Sequence, residues 1–446
     1  MKKHLFYTLL MLISLMGCSL PKGNAEAEDV EEGLPVINLS EGVEEVDKLN
    51  LSDAAERMEI VKLETTDKSL IKNIFELKVT ENDIWINSMS NILRFSKKGK
   101  FLNLVGKQGK GPGEYTWISK FNVDEINHEI YILSASSGIL IYDYEGNFLR
   151  KITEQRQDEL FADTEGEFVV YKNQFLLSRN LYFAYDFLLN ENSPNAIIWS
   201  LATTDNQFNK LKLFENPSHK GREREILADE HIAHGDRWVN YWVEEPTSID
   251  FANDEITIKF PDTDTIYMYN QSMQELVPKY AIYTNEEKGD YGLTHEFVKQ
   301  RHAFDYFLIS SYYATSNYVY LVSSKDEQIY TYAYNKRDHS IRRVVRKGEI
   351  INQEDAPPFI SQFGTFRNMK RDFILTNDYT GGNFKVDYRS YGKYWIQVLD
   401  PGSLDYEKFV KDLKASPAAP QKQQLLDVIA KTDEEDNPIL LIAVLK

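Results

Sequence analysis

The sequence has few of the residues on which covalent cross-links and metal sites depend. Its 446 residues include one cysteine, Cys18, and eight histidines. A single cysteine excludes a disulfide bond within the chain. After residue 16, no apolar run reaches the roughly 20 residues that a membrane-spanning helix needs, and the C-terminal run at 438–445 has only the length of a strand. We therefore expect no helix that spans a membrane.

Basic residues are scarce relative to acidic ones. Lys and Arg number 51, Asp and Glu number 69, and the formal net charge is −18. Because such a surface repels a phosphate backbone, we expect no nucleic-acid partner. The chain also lacks a Gly-x-Ser-x-Gly nucleophile elbow, which is one of the local signatures of a hydrolase. Nothing in the sequence argues positively for catalysis.

The N-terminus has the pattern of an export signal. Lys2 and Lys3 precede an apolar stretch at 5–16, which is too short to span a bilayer. The tetrapeptide Leu-Met-Gly-Cys at 15–18 resembles the lipobox of bacterial lipoproteins, and Ser19 resembles the residue that sorts such proteins to the outer membrane. We expect a signal peptide over 1–17 and a lipid on Cys18 as the only membrane contact. The expected location is the outer membrane, facing the periplasm or the cell surface.

An acidic segment follows this signal. Residues 18–50 are rich in Glu, Asp, Pro and Gly, a composition that buries too little apolar surface to fold. It predicts a flexible tether. The remaining residues, 51–446, are predicted to form one domain.

This domain contains a sequence repeat with a period of 46 to 47 residues. Ile84-Trp85-Ile86 is matched by Ile130-Tyr131-Ile132, and Gly99-Lys100-Phe101 is matched by Gly146-Asn147-Phe148. Each copy reads as strands separated by turns. A repeat of this kind predicts the blades of a β-propeller, because one small sheet cannot bury both of its faces and must stack against neighbours. Weaker copies begin near residues 168, 256 and 318.

The C-terminal part of the domain departs from this repeat. A short helical insertion is predicted over about 403–431, where Ser403 can cap a helix. The apolar segment 438–445 is predicted to be a strand that closes the ring together with an N-terminal strand. The fold class is therefore all-β.

The first repeat copy ends in a glycine-rich run that contains Gly106, Gly109, Gly111, Pro112, Gly113, Glu114 and Tyr115. We interpret the run as a structural connection between blades, because glycine permits the positive φ angles of a tight turn. The alternative, a phosphate cradle, lacks the Gly-Lys-Ser/Thr ending and the following helix.

Together with Val123-Asp124 and the succession from Ile130 to Phe148, this run resembles an NHL repeat. Over the mature chain, the sequence resembles the six-bladed β-propeller lipoproteins of Gram-negative bacteria, a family with NHL-like or TolB-like propellers. The resemblance implies six blades, whereas the period alone would divide about 390 residues into roughly eight.

Candidate binding residues lie in a long insertion between predicted blades. Arg237, Trp238, Tyr241 and Trp242 could stack on sugar rings or on peptide side chains, or they could simply pack the insertion onto the propeller. His231 and His234 have a spacing compatible with a metal, although a chance pair on a solvated loop explains them better. The turn Asp262-Thr263-Asp264 offers oxygen ligands for calcium or ordinary turn chemistry.

These observations favour a binding or scaffolding module whose ligand is a glycan, a peptide or an envelope protein. The alternative is a calcium-dependent hydrolase, because some six-bladed propellers are lactonases or esterases that hold calcium in the central tunnel. No cofactor is predicted under the first hypothesis, and calcium is the one expected under the second.

Overall fold

The computed structural model describes residues 33–446 except 89, 135–137, 153–165, 179–198, 222–246, 253, 262, 287–306, 353–366 and 391. Within these ranges, six sheets, each with four antiparallel strands and two of them with a fifth, parallel strand, form a ring. The chain is therefore a six-bladed β-propeller, as predicted. No helix in the described ranges combines the length and the apolar character needed to cross a membrane.

The described part of the chain begins with three strands that belong to the last three blades. These are β1 (Val36–Asn38), β2 (Val43–Glu45) and, after the short helix α1 (Leu51–Ala54), β3 (Ala55–Lys62).

Blades 1 to 3 follow, each with four strands in sequence order. Blade 1 consists of β4 (Glu76–Val79), β5 (Asp83–Asn87), β6 (Ile92–Ser96) and β7 (Phe101–Val105). Blade 2 consists of β8 (Lys120–Asp124), β9 (Glu129–Ser134), β10 (Gly138–Asp143) and β11 (Phe148–Ile152). Blade 3 consists of β12 (Phe168–Tyr171), β13 (Gln174–Ser178), β14 (Leu201–Asp205) and β15 (Lys210–Phe214), after which a 3₁₀ turn forms at Pro217–His219.

Blades 4 and 5 have the same plan. Blade 4 consists of β16 (Ser248–Ala252), β17 (Glu255–Lys259), β18 (Thr265–Asn270) and β19 (Glu275–Tyr283). Blade 5 consists of β20 (Leu308–Ala314), β21 (Tyr318–Lys325), β22 (Gln328–Asn335) and β23 (Ile341–Lys347). Two hairpins come next, formed by β24 (Glu349–Asn352) with β25 (Arg367–Lys370) and by β26 (Ile374–Thr376) with β27 (Asn383–Lys385).

Blade 6 joins the two ends of the chain. It contains β28 (Tyr388–Ser390), β29 (Tyr394–Leu399) and β30 (Ile439–Leu445), with β3 as its outer strand. The C-terminal β30 lies between β29 and β3, so Leu441 is paired with Gln397 on one side and with Ile60 on the other. This arrangement confirms the predicted ring closure.

The predicted helical insertion lies between β29 and β30. Helices α2 (Leu404–Ala415) and α3 (Lys422–Ile429) form it. Leu413 and Leu425 are fully buried and join the hydrophobic cluster that contains Leu441 of the closing strand. The helices therefore pack on the core of the propeller.

Alternation along each strand explains why the blades stack. Successive side chains of a strand point to opposite faces of its sheet. In β5, Ile84 and Ile86 pack into a cluster with Leu440 of blade 6, whereas Trp85 between them packs into a cluster with Phe121 of blade 2. Because each face of the blade meets a neighbour, the sequence of β5 is apolar on both faces.

The structure corrects the prediction of a flexible tether over residues 18–50. Strand β1 pairs in parallel with β19, and β2 pairs in parallel with β23, so each adds a fifth strand to a blade. Ile37 and Leu39 are buried. The tether prediction is wrong for residues 36–50, because the open edges of β19 and β23 supply hydrogen-bond partners that an acid-rich composition does not reveal.

Candidate ligand site in the central channel

A cavity of about 380 Å³ lies where the first strands of the six blades meet. These inner strands contact one another across blade boundaries, as β4 does with β8 and with β28. Every blade contributes to the lining, and the contributors include Lys78, Lys120, Glu167, Ser248 and Arg389. The cavity therefore occupies one end of the central channel.

Chain topology explains which end of the channel the cavity occupies. Antiparallel blades place two kinds of connection at the same end, namely those from an outer strand to the next inner strand and those between second and third strands. Phe75 and Glu167, which immediately precede β4 and β12, line the cavity. Residues 153–165, 222–246 and 287–306 lie outside the described residues.

Arg389 is the central charged group of this site. Its Nη2 donates to Glu167 Oε1 at 2.9 Å and to Ser248 Oγ at 3.0 Å, and its Nη1 donates to the carbonyl oxygen of Tyr312 at 3.1 Å. The guanidinium carbon lies 5.4 Å from the centre of the Tyr313 ring, a distance suited to a cation–π contact. One side chain thus links blades 3, 4, 5 and 6.

Asp250 supports Arg389 from the side away from the cavity. Its Oδ2 lies 3.4 Å from Arg389 Nη1 and accepts the amide of Ala314 at 2.7 Å. Its Oδ1 accepts the amide of Phe251 at 2.8 Å. Only 4% of the Asp250 side chain is exposed, compared with 30% for Glu167. Of the two acids that pair with Arg389, Glu167 is therefore the one that faces the cavity.

The two carboxyl groups differ in the direction of their pKa shifts. Burial raises the pKa of Asp250, and Arg389 only partly offsets that effect. Burial also acts on Glu167, but Arg389 and then Lys78 outweigh it and hold the pKa of Glu167 below its ordinary value. The pKa of Arg389 is raised, because Asp250 and Glu167 overcome the opposing effect of burial. The guanidinium is therefore permanently charged.

Lys78 and Lys120 bring two further cations to the channel from neighbouring inner strands. Lys78 Nζ lies 3.5 Å from Glu76 Oε1. The other oxygen of Glu76 accepts the amide of Phe121 at 2.9 Å. No hydrogen bond or ion pair joins the ammonium group of Lys120 to any residue in the described ranges.

Two more charged side chains of the lining are bound within the protein. Lys259 Nζ donates to the carbonyl oxygens of Phe260 and Thr263, each at 3.1 Å. Asp387 pairs with Lys385 at 2.8 Å and accepts the amide of Val398 at 2.8 Å. Burial raises the pKa of Asp387, with Lys385 acting in the opposite direction. Among the described residues, the lining carries four cationic and three acidic side chains.

A family model described as a domain of unknown function, DUF4934, matches residues 34–444. The chain belongs to the DUF4934 family. No curated protein matches the sequence.

Two solved structures were compared with this DUF4934 chain, and one of them shares its fold. A crystal structure of a protein from Bacteroides fragilis NCTC 9343 described as exported (BF0058) superposes with a TM-score of 0.56 at 19% identity, covering 92% of this chain and 99% of that one. PorZ, a surface component of the type-IX secretion system of Porphyromonas gingivalis, gives a TM-score of 0.35 at 9% identity, covering 74% of this chain and 34% of PorZ. The first similarity supports the propeller fold, and the second is too low to support any conclusion.

The glycine-rich run joins β7 to β8 in the DUF4934 fold. Tyr115 is fully buried, and its hydroxyl donates to the carbonyl oxygen of Val105 at 3.1 Å. The amide of Gly111 donates to Glu114 Oε2 at 2.8 Å. A carboxylate of the run itself thus occupies one of the amides that a phosphate cradle would require.

Gly106 and Gly113 in this run have positive φ angles of 67° and 70°. A Cβ atom at Gly113 would lie 2.5 Å from Phe148 Cγ, and the carbonyl oxygen of Gly113 accepts the hydroxyl of Tyr142 at 2.9 Å. The run packs closely against blade 2.

Most of the other sequence candidates lie outside the described residues. These are Cys18, His231, His234, Arg237, Trp238, Tyr241, Trp242 and Asp262. In the turn that follows β17, Thr263 Oγ1 donates to the carbonyl oxygen of Phe260 at 2.9 Å, and the carbonyl oxygen of Thr263 accepts Lys259 Nζ. Two of the oxygens that calcium could use in this turn already have partners.

The carboxylates around the channel are also poorly suited to calcium. In the described ranges, no group of three His, Cys, Asp or Glu side chains is arranged to hold a metal ion. Glu167 and Asp250 flank a guanidinium, and Glu76 lies beside an ammonium. Because a cation of the protein lies beside each of these acids, the donor set of the described residues does not fit a divalent ion.

Sequence reasoning did not identify Arg389, Glu167 or Asp250. They lie in different blades, and no local motif unites them. One weak signal was available, since Glu76 begins a strand and Glu167 and Asp387 each precede one by a single residue. Charged residues at the starts of inner strands would have indicated the mouth of the channel.

Proposed function

We propose that this protein is a binding module of the cell envelope that takes a small polar ligand into the mouth of its central channel. The observation that supports the proposal is the cavity of about 380 Å³ with charged side chains held in place by bonds between blades. Its volume falls in the range of small-molecule sites, about 300–1,000 Å³.

Export and lipid attachment form part of the proposal. The signal at 1–17 and Cys18 motivate an envelope location, with the lipid as the only membrane contact. The similar protein BF0058 is described as exported, which supports export of this chain as well. Metabolic labelling with a palmitate analogue tests the anchor: the protein should incorporate it and a Cys18→Ala variant should not.

Binding fits the channel better than hydrolysis does. A calcium-dependent hydrolase would need carboxylates free to coordinate the ion, whereas Glu167 and Asp250 are paired with Arg389. We therefore propose a site that acts without metal or cofactor. The ligand would be a glycan or peptide fragment, or a group presented by an envelope protein.

The test blocks the channel without touching the charged groups. Ser311 lines the cavity, so Ser311→Trp should fill it, while Ser272→Trp on the exposed turn between β18 and β19 is the matched control. Labelled protein is applied to arrays of glycans and of short peptides after urea unfolding has shown that both variants are folded. Signals should persist in Ser272→Trp and disappear in Ser311→Trp. Signals that survive in Ser311→Trp, or no signal for the unaltered protein, would contradict the proposal.

A further inference from the structure

Arg389 is already committed to the protein itself. Its two terminal nitrogens donate to Tyr312, Glu167 and Ser248, and Asp250 lies against the same group. Breaking these bonds would leave buried charges without partners, which costs more than a new ligand contact returns. Arg389 is therefore a positioning residue that fixes the inner strands, and the ligand must be recognised by other side chains.

Lys120 is the cation that remains available. It is the first residue of β8, it is half-buried in the cavity wall, and its ammonium group has no bonded partner in the described part of the chain. A buried or half-buried ammonium normally pairs with a carboxylate or with several carbonyl oxygens. Lys259 shows that arrangement in the same cavity, because two carbonyl oxygens accept its Nζ.

Lys78 adds to the positive potential beside Lys120. Strands β4 and β8 contact each other, so both lysines lie on adjacent inner strands. Glu76 neutralises Lys78 only in part, because the separation is 3.5 Å and one Glu76 oxygen is engaged by the amide of Phe121. Both lysines act on Glu167 and lower its pKa. Their field therefore extends into the cavity.

The positive charge of the cavity contrasts with the negative charge of the whole protein, and this contrast makes the cavity selective for anions. The protein has a formal charge of −18, whereas the part of the lining that the structure describes has four cations and three acids. An anion is repelled by most of the surface and attracted only where basic side chains converge in a cleft with low-dielectric walls. Phe75 stands at the edge of the same cavity with half of its surface exposed, and its ring offers an apolar contact.

We infer, building on the proposed function, that the ligand is a small organic anion whose carboxylate or phosphate group binds Lys120 with support from Lys78, and whose apolar part contacts Phe75. Glu167 then excludes ligands that place a second negative charge near Arg389. Lys120 sets the specificity of the site for charge.

The experiment uses three probes that share a benzene ring and differ in charge. Benzoate, phenyl phosphate and benzyl alcohol are titrated into the purified protein at low ionic strength, and binding is measured by saturation-transfer difference NMR and by calorimetry. At least one of the two anions should bind about tenfold more tightly than the alcohol, since a hydrogen bond to a charged group contributes that much or more. The anion that binds more tightly shows whether the site prefers a carboxylate or a phosphate ester.

Variants assign the effect to Lys120. Lys120→Met should weaken the preferred anion about tenfold without changing the affinity for benzyl alcohol. Lys151→Met removes an exposed lysine from the outer strand β11 and should change nothing. Lys120→Arg should retain the preference for anions, which separates lost charge from lost folding, and urea unfolding of each variant is measured alongside.

Three results would overturn the inference. The charged and neutral probes bind with equal affinity, Lys120→Met binds the anions as tightly as the parent does, or neither anion binds at all. The proposed function fails differently, because it predicts array signals that Ser311→Trp abolishes whatever the charge of the ligand. If a neutral ligand binds the protein and Ser311→Trp abolishes that binding, the proposed binding module is supported and the proposed anionic ligand is refuted.

Discussion

Replacing Arg389 by Met should reveal how strongly the stability of the protein depends on the ion pairs of Arg389 with Glu167 and Asp250. The substitution removes the partner of Glu167 and Asp250 while roughly keeping side-chain volume. Removing one member of a buried ion pair typically costs about 3–5 kcal/mol, because the remaining charge stays buried without compensation. Two acids lose their partner here, so we expect the free energy of unfolding to fall by about 4 kcal/mol at pH 8.

The loss should depend on pH in a defined direction. Unfolded Asp and Glu titrate near pH 3.9 and 4.3. Burial is the first cause acting on Asp250, and without the guanidinium it raises the pKa of this carboxyl further in the folded protein. Glu167 also loses the strongest of the effects that lower its pKa, although Lys78 and Lys120 still act on it. A folded-state pKa above the unfolded value means that folding is penalised at high pH and that the penalty disappears as the acids take up protons. The variant should therefore approach the stability of the parent as the pH falls towards 5.5.

Equilibrium unfolding in urea, followed by tryptophan fluorescence at pH 8 and pH 5.5, measures both quantities. Arg150→Met is the control. Arg150 lies on the outer strand β11 and pairs with Glu129, and 39% of the Arg150 side chain is exposed. Such a pair contributes about 1 kcal/mol or less. A loss in Arg389→Met no larger than in this control, or one equal at both pH values, would refute the reasoning.

Two further predictions concern the backbone and the N-terminal strands. Gly42 and Gly146 both have positive φ, but an added Cβ meets nothing at Gly42 and lies 2.4 Å from the carbonyl oxygen of Leu104 at Gly146. Gly42→Ala should therefore lower the free energy of unfolding by about 1 kcal/mol, and Gly146→Ala should lower it by about 1–3 kcal/mol more. Equal losses of the two variants in urea unfolding would contradict this prediction. In β1, Ile37 is fully buried whereas 45% of Val36 is exposed. Ile37→Asp should detach β1 and accelerate proteolysis before residue 50, Val36→Asp should not, and similar digestion of both would refute packing of this strand.

The blades could be predicted because their signals are local. Alternation of apolar residues indicates a strand from a few consecutive residues, and Gly99 and Gly146 mark turns whose backbone approaches Lys62 and Leu104 too closely for a Cβ atom. The closing strand was predictable for the same reason, since the continuous apolar run that became β30 has no polar face to expose.

The N-terminal strands escaped prediction because their partners are distant. Residues Val36 to Leu39 carry enough apolar surface for a strand, but only the free edge of β19, more than 240 positions away, makes that conformation favourable. The prediction of a tether used only the acid-rich composition of the segment, which contains no information about a distant strand edge.

The sequence by itself determined the repeated strands, the turns between them and the ring closure, because each depends on the polarity and backbone preference of neighbouring residues. Only the tertiary structure decided the charged site. Glu167, Asp250 and Arg389 are far apart in the chain and meet because six blades close a ring around one axis. Their charge states follow from that meeting, since both the burial that penalises each charge and the partner that offsets it come from other blades.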